Sequence, residues 1–134
     1  MKKLLVLVAA IAALALPAAA FAGSPHFVSN TVQFTTSGNT ITVVGKEAGL
    51  GDEAQVHIVL SATAECINPG GNHPKAANKT SVTSAGDFPV QNGKADFSLS
   101  ATAVFSPNPA GACGNVVFSD VTVTDTTNGI SQTL

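Results

Sequence analysis

From Val56 to Cys66 the chain alternates without a slip: Val56, Ile58, Leu60, Ala62, Ala64 and Cys66 share one parity, while His57, Val59, Ser61, Thr63 and Glu65 share the other. A period of two sends successive side chains to opposite faces of an extended backbone, so this stretch predicts a strand with one buried face and excludes an amphipathic helix. Ala95 to Phe105 repeats the pattern, with Ala95, Phe97, Leu99, Ala101, Ala103 and Phe105 facing one way and Val104 interrupting the polar set on the other. Two such half-apolar surfaces bury themselves most simply against each other, as two stacked sheets.

The remaining segments follow the same period. Phe27 to Thr36 predicts a strand or strand pair, Ser37-Gly38-Asn39 a turn, and Thr40 to Val44 the returning strand of a hairpin. Gly45 to Asp52 is too rich in glycine for a stable helix and reads as a connection, with Leu50 plugging inward. Lys79 to Ser84 resumes extended structure, Gly86-Asp87 reads as a turn, and Phe88-Pro89-Val90 as a short edge piece, since Pro89 has no N–H for a central ladder. Asn92-Gly93 is a strong two-residue hairpin signal, because both residues tolerate positive φ. Val116 to Thr124 predicts the last long strand and Ile130 to Leu134 a terminal edge strand. Six to eight strands with breakers between them predict an all-β, antiparallel two-sheet sandwich of immunoglobulin-like or Greek-key path. The buried Trp and the tyrosine corner of antibody domains are impossible here, because the chain has no Trp and no Tyr.

The first 22 residues have a different character. Lys2 and Lys3 precede an apolar run from Leu4 to Leu16, Pro17 ends it, and Ala20 and Ala22 supply a small-x-small pair, the order of a secretory signal peptide cleaved after Ala22. Cleavage after Ala20 is the second choice. The apolar run is shorter than the roughly 20 residues needed to cross a bilayer, and no Cys precedes Cys66 to receive a lipid. Residues 23–134 then form a single domain carrying four Lys, no Arg and eight acidic groups, a formal charge of −4. So few dispersed cations cannot replace the counterions of a nucleic acid or attract an anionic membrane.

Export makes oxidation the expected state of the only two Cys, and a Cys66–Cys113 bridge would close a 47-residue separation, worth about 4 kcal/mol in the chain-entropy picture. Cys66 lies on the apolar parity, so the bridge is expected to staple core-facing material. Each Cys adjoins a breaker-rich loop, Asn68-Pro69-Gly70-Gly71-Asn72 on one side and Pro107-Asn108-Pro109-Ala110-Gly111 on the other. One bridge would pin both, and a pinned loop loses less entropy on binding. Asn68, Asn72, His73 and Asn108 are the recognition candidates, for a protein or a cell-surface glycan.

No residue pattern specifies a reaction. His26, His57 and His73 form no short-range pair; His57 falls on the polar parity, and His73 is the better ligand candidate, near Glu65 or Asn72. No nucleophile-elbow or active-site Cys context accompanies the serines. Glu47, Asp52 and Glu53 read as a solvated turn, and Asp120 and Asp125 as water-facing. Calcium could draw on Asp52 with Glu53, or on Asp125 with nearby carbonyls, but no complete loop motif is present, and no cofactor or metal is assigned. Thr122, Thr124 and Thr126 alternate and could form a flat polar face, although strand propensity explains them equally. Asn78-Lys79-Thr80 meets the glycosylation rule, which a bacterial-looking leader makes moot.

The segments GKEAGLGDEAQVHIVLSATAEC and NPGGNHP, with the second Cys and the closing VTVTD, resemble a group of small secreted bacterial proteins to which no activity is assigned. The resemblance spans most of residues 40–125 and implies secretion and a disulfide. The sequence therefore favours a secreted or envelope-associated, non-enzymatic sandwich acting through its surface or loops. Two alternatives stay open: a small hydrolase or metal-dependent enzyme, and a protein that self-assembles or adheres through an edge strand. N-terminal sequencing of the exported product should return Gly23 as its first residue; an intact leader on the extracellular protein would refute this reading of the first 22 residues.

Overall fold

The computed structural model describes residues 23–67, 78–105, 113 and 115–134. It contains β1 (His26–Phe27), β2 (Gln33–Ser37), β3 (Thr40–Ala48), β4 (Gln55–Ile67), β5 (Lys79–Pro89), β6 (Ala95–Thr102), β7 (Asn115–Asp125) and β8 (Ile130–Thr133). In the first sheet β1 and β2 pair with successive stretches of one edge of β3, and β6 pairs with the other. The second sheet runs β5-β4-β7-β8, and every pairing is antiparallel. This is a two-layer β-sandwich with an immunoglobulin-like Greek-key path.

The alternation decides which residues lie between the layers. Val56, Ile58 and Leu60 of β4, Ile41 and Val43 of β3, and Phe97 and Leu99 of β6 join one buried cluster. Phe97 meets Phe27 and Phe88 edge-on at centroid distances of 5.7 and 6.1 Å, a geometry favoured by the ring quadrupoles. Leu50 plugs the core from the β3–β4 connection, as its position suggests.

Three departures from the sequence reading have physical causes. First, β3 continues past Val44 to Ala48. Gly45 is not a breaker; it pairs with Phe97, and a Cβ there would stand 2.7 Å from the Phe97 ring, so the missing side chain is the seat of the aromatic. Second, Gly86-Asp87 is not a turn: Gly86 pairs with Ile58 and Asp87 with His57 inside β5. The Phe88 ring lies over Gly86, where a Cβ would be 3.1 Å from it. Third, the two-residue turn forms at Asn92 and Gly93, with φ of 53° and 74°, but its flanking strands belong to different layers. The β4–β5 register runs one residue past Pro89, with Val90 N–H donating to the Ala54 carbonyl at 3.0 Å, before the chain crosses to the first sheet.

The expected disulfide joins Cys66 to Cys113 with a Cα separation of 5.3 Å. Cys66 is fully buried on the inner parity of β4. The bridge does not tie one apolar face to the other, however, because β4 and β7 are neighbours in the same sheet and Cys66 lies opposite Val116. It clamps one end of that sheet.

Since Gly45 exists to admit Phe97, the two positions should be energetically coupled. Phe97→Ala should cost about 3–5 kcal/mol, and Gly45→Ala about 1–3 kcal/mol through overpacking. In the double variant the Gly45→Ala cost should fall, because the ring is gone and only the Val32 methyl, 2.9 Å from the new Cβ, is left to give way. Strict additivity of the denaturation free energies would contradict this packing.

Candidate functional site

The four loop candidates Asn68, Asn72, His73 and Asn108 lie outside the described residues. Of the other histidines, His26 bonds through Nδ1 to the Ser24 carbonyl at 2.8 Å. His57 meets Asp87 Oδ1 at 2.7 Å on the outer face of the second sheet, where both side chains are about half exposed. Exposed pairs of this kind contribute little to stability. Lys46–Asp96 and Lys79–Glu65 are similar surface contacts at 3.8 and 3.6 Å. Thr122 and Thr124 do face outward, Thr124 bonding Ser131 at 2.9 Å, but Thr126 lies in the β7–β8 turn with its N–H on the His57 carbonyl at 2.9 Å.

The residues that the structure does bring together are acids. Glu47 and Asp125, read from sequence as a turn residue and a water-facing one, both have zero exposure. Glu47 continues the inner parity of Ile41, Val43 and Gly45 once β3 runs on to Ala48. Asp125 is turned inward by a bulge: Ser61 opposes Thr122 and Thr63 opposes Ser119, so β7 carries one extra residue there. Asp120 adopts φ 51° at this point. The insertion moves the inner set from Val116 and Phe118 to Val121, Val123 and Asp125. Asp120 itself stays exposed, in agreement with its sequence reading.

These two acids come from opposite layers and meet at the end of the sandwich remote from the disulfide. Asp125 is well solvated by protein. Its Oδ1 accepts the Thr127 and Asn128 N–H groups at 2.8 and 3.2 Å, and its Oδ2 accepts from Asn128 Nδ2 at 2.6 Å. The same Asn128 amide donates to Glu53 Oε2 at 3.1 Å, drawing the β3–β4 connection onto the β7–β8 turn. Asp52 is exposed and takes no part in these bonds. Glu47 has no such support: neither carboxylate oxygen meets a donor. Among the described residues no Lys pairs with any member of the cluster.

An unsupported carboxylate in an apolar layer is driven toward its neutral form. Burial raises the Glu47 pKa to about 8, helped by a hydrogen bond that only the protonated acid can give Asp125, and by the charges of Asp125 and Glu53. The cluster thus has two acceptable states: a proton shared between Glu47 and Asp125, or a doubly charged pair neutralised by something else.

The chain matches no family model, no curated protein and no solved structure at a significant level. Among the described residues no helix is long and apolar enough to cross a membrane. A polar groove of about 370 Å³, lined by Lys46, Pro89, Gln91, Asn92, Lys94 and Asp96, opens beside the β5–β6 turn.

The sequence did contain a signal for Glu47, its parity with Ile41 and Val43, but the intervening glycine hid it. Asp125 was hidden by the bulge. Because the folded-state pKa of Glu47 lies above its ordinary value of 4.5, the folded protein binds more protons than the unfolded chain between 4.5 and about 8. Stability in divalent-free buffer should therefore fall as pH rises through that window, by a few kcal/mol in all. Glu47→Gln, which removes the charge and keeps the shape, should flatten the decline and leave the variant more stable than wild type at the alkaline end. Urea midpoints across the window give the check, and parallel curves for the two proteins would contradict the assignment.

Proposed function

We propose that this chain is an exported, non-enzymatic β-sandwich that acts through its loops and outer surface. The observation that carries the reading is the Cys66–Cys113 bridge. A disulfide in a small domain suits an oxidising, extracytoplasmic setting, which accords with the basic-then-apolar leader of residues 1–22. The bridge also holds Ile67 and Cys113, the two points from which the breaker-rich loops depart and return, at the same end of one sheet.

The reading assigns the scaffold to stability and the loop residues Asn68, Asn72, His73 and Asn108 to contact. Asparagine amides offer paired donors and acceptors suited to hydroxyl-rich or backbone partners, so the partner is a protein or a cell-surface glycan. The low cation content disfavours nucleic acid and anionic lipid.

A glycan array and surface binding to the producing cells, both probed with the oxidised protein, provide the test. Replacing Asn72 and His73 together by Ala, or Asn108 by Ala, should weaken binding roughly tenfold, about 1.4 kcal/mol, with an unchanged thermal midpoint. Binding indifferent to both loops would end this proposal. Turnover of ester or glycoside substrates that disappears in His57→Ala would favour the hydrolase alternative instead.

A further inference from the structure

A buried carboxylate that has lost water must regain a counter-charge or a donor, and Glu47 has neither in hydrogen-bonded form although both its oxygens are enclosed. It faces a second fully buried carboxyl, Asp125, delivered from the opposite layer, with Glu53 as a third acid held nearby through Asn128. The neighbouring polar side chains add no relief: Lys46 is engaged on the outside with Asp96, and His57 with Asp87.

We propose that Glu47 and Asp125, with Asn128 as the third side chain, hold a hard divalent cation, calcium foremost, between the two sheets. The donors are all oxygens and two are formally charged, which suits calcium and is wrong for zinc or copper. Among the described residues no three His, Cys, Asp or Glu side chains group as ligands. The described side chains thus offer two carboxylates and the Asn128 amide oxygen, and water would complete the shell of six to eight oxygens that calcium takes. Asn128 already places its amide nitrogen between Asp125 and Glu53, at 2.6 and 3.1 Å, where positive potential is demanded. Rotation about its terminal bond presents Oδ1 to the ion instead. Binding there joins β3 of one layer to the β7–β8 turn of the other, at the end of the sandwich that the disulfide leaves untied. This inference is independent of the export and loop reading, since it concerns only the folded domain.

Thermal unfolding of the oxidised protein, stripped with EDTA and titrated with calcium chloride to about 10 mM near pH 8, is the direct test. Calcium should raise the midpoint by roughly 5 °C or more once it reaches about ten times its dissociation constant, magnesium by less, and Glu47→Gln should abolish the response. Asp87→Asn, at the exposed His57 pair, should keep it. In wild-type protein the ¹³C signal of the Glu47 carboxyl should move on calcium addition, a readout that survives even if the variant does not fold. No midpoint or carbon shift up to about 10 mM, with the Glu47 signal reporting only protonation, would assign the cluster to a shared proton and overturn the proposal. A calcium response retained in Glu47→Gln would overturn it as well, by placing the ion elsewhere.

Discussion

Two sheets can stack only if every inward residue gives up its water, and in this sandwich that demand falls on Glu47 and Asp125 as fully as on Ile58 or Leu60. For an aliphatic side chain the transfer is favourable by about 25 cal/mol per Å². For an ionised carboxylate it is strongly unfavourable unless the charge is removed or matched. The layers can therefore close completely at the apolar centre, whereas closure at the acidic end depends on what neutralises two carboxyls. Asp125 meets part of that need through three N–H donors on its own turn. Glu47 receives no donor, so its charge has to be removed by a proton or matched from outside the chain.

The two ends of the sandwich are consequently held by different means. At one, the Cys66–Cys113 bridge fixes neighbouring strands of the same sheet and says nothing about the distance between layers. At the other, a contact between layers carries the two buried acids of the described core, one of which titrates near neutral pH. Beside the acidic contact lies the Phe27–Phe97–Phe88 group, with Phe27 paired to Glu47 and Phe88 to Val56; seated on Gly45 and Gly86, it supplies the bulk that a chain without Trp or Tyr must find elsewhere. The covalent tie limits unfolded-chain entropy, the aromatics supply burial, and the acidic contact sets how tightly one end can shut.

Much of this is legible in the amino-acid sequence alone. The alternation in Val56–Cys66 and Ala95–Ala103 specifies faces directly, because burial follows parity wherever a strand is regular. The Asn92-Gly93 turn was legible because its backbone requirement is chemical. What could not be read was where glycine serves packing instead of turning. Gly45 and Gly86 resemble punctuation in a linear chain, and only the rings of Phe97 and Phe88, brought by other parts of the sequence, reveal them as sites of close approach. The assignment of β5 and β6 to different layers was likewise hidden, since a hairpin signal fixes the turn and not the sheet each strand joins.

The acidic site was lost for a related reason, and the reason bears on its function. Asp125 reaches the core only because one residue is inserted near Asp120; an unbroken period running from Phe118 would place Thr122 and Thr124 inside and Asp125 in water. The apolar positions Val121 and Val123 require that shift, so the bulge is fixed by burial of valine and Asp125 follows them inward. Nothing in that argument requires an acid at 125, since an apolar residue would satisfy the same parity at lower cost. Glu47 occupies its inner position under the same indifference. Two independent strands each place a carboxyl where hydrophobic packing is the cheaper solution, and they place them against each other. Packing accounts for the position of each residue and not for the identity of either, which is what the proposed shared cation would supply.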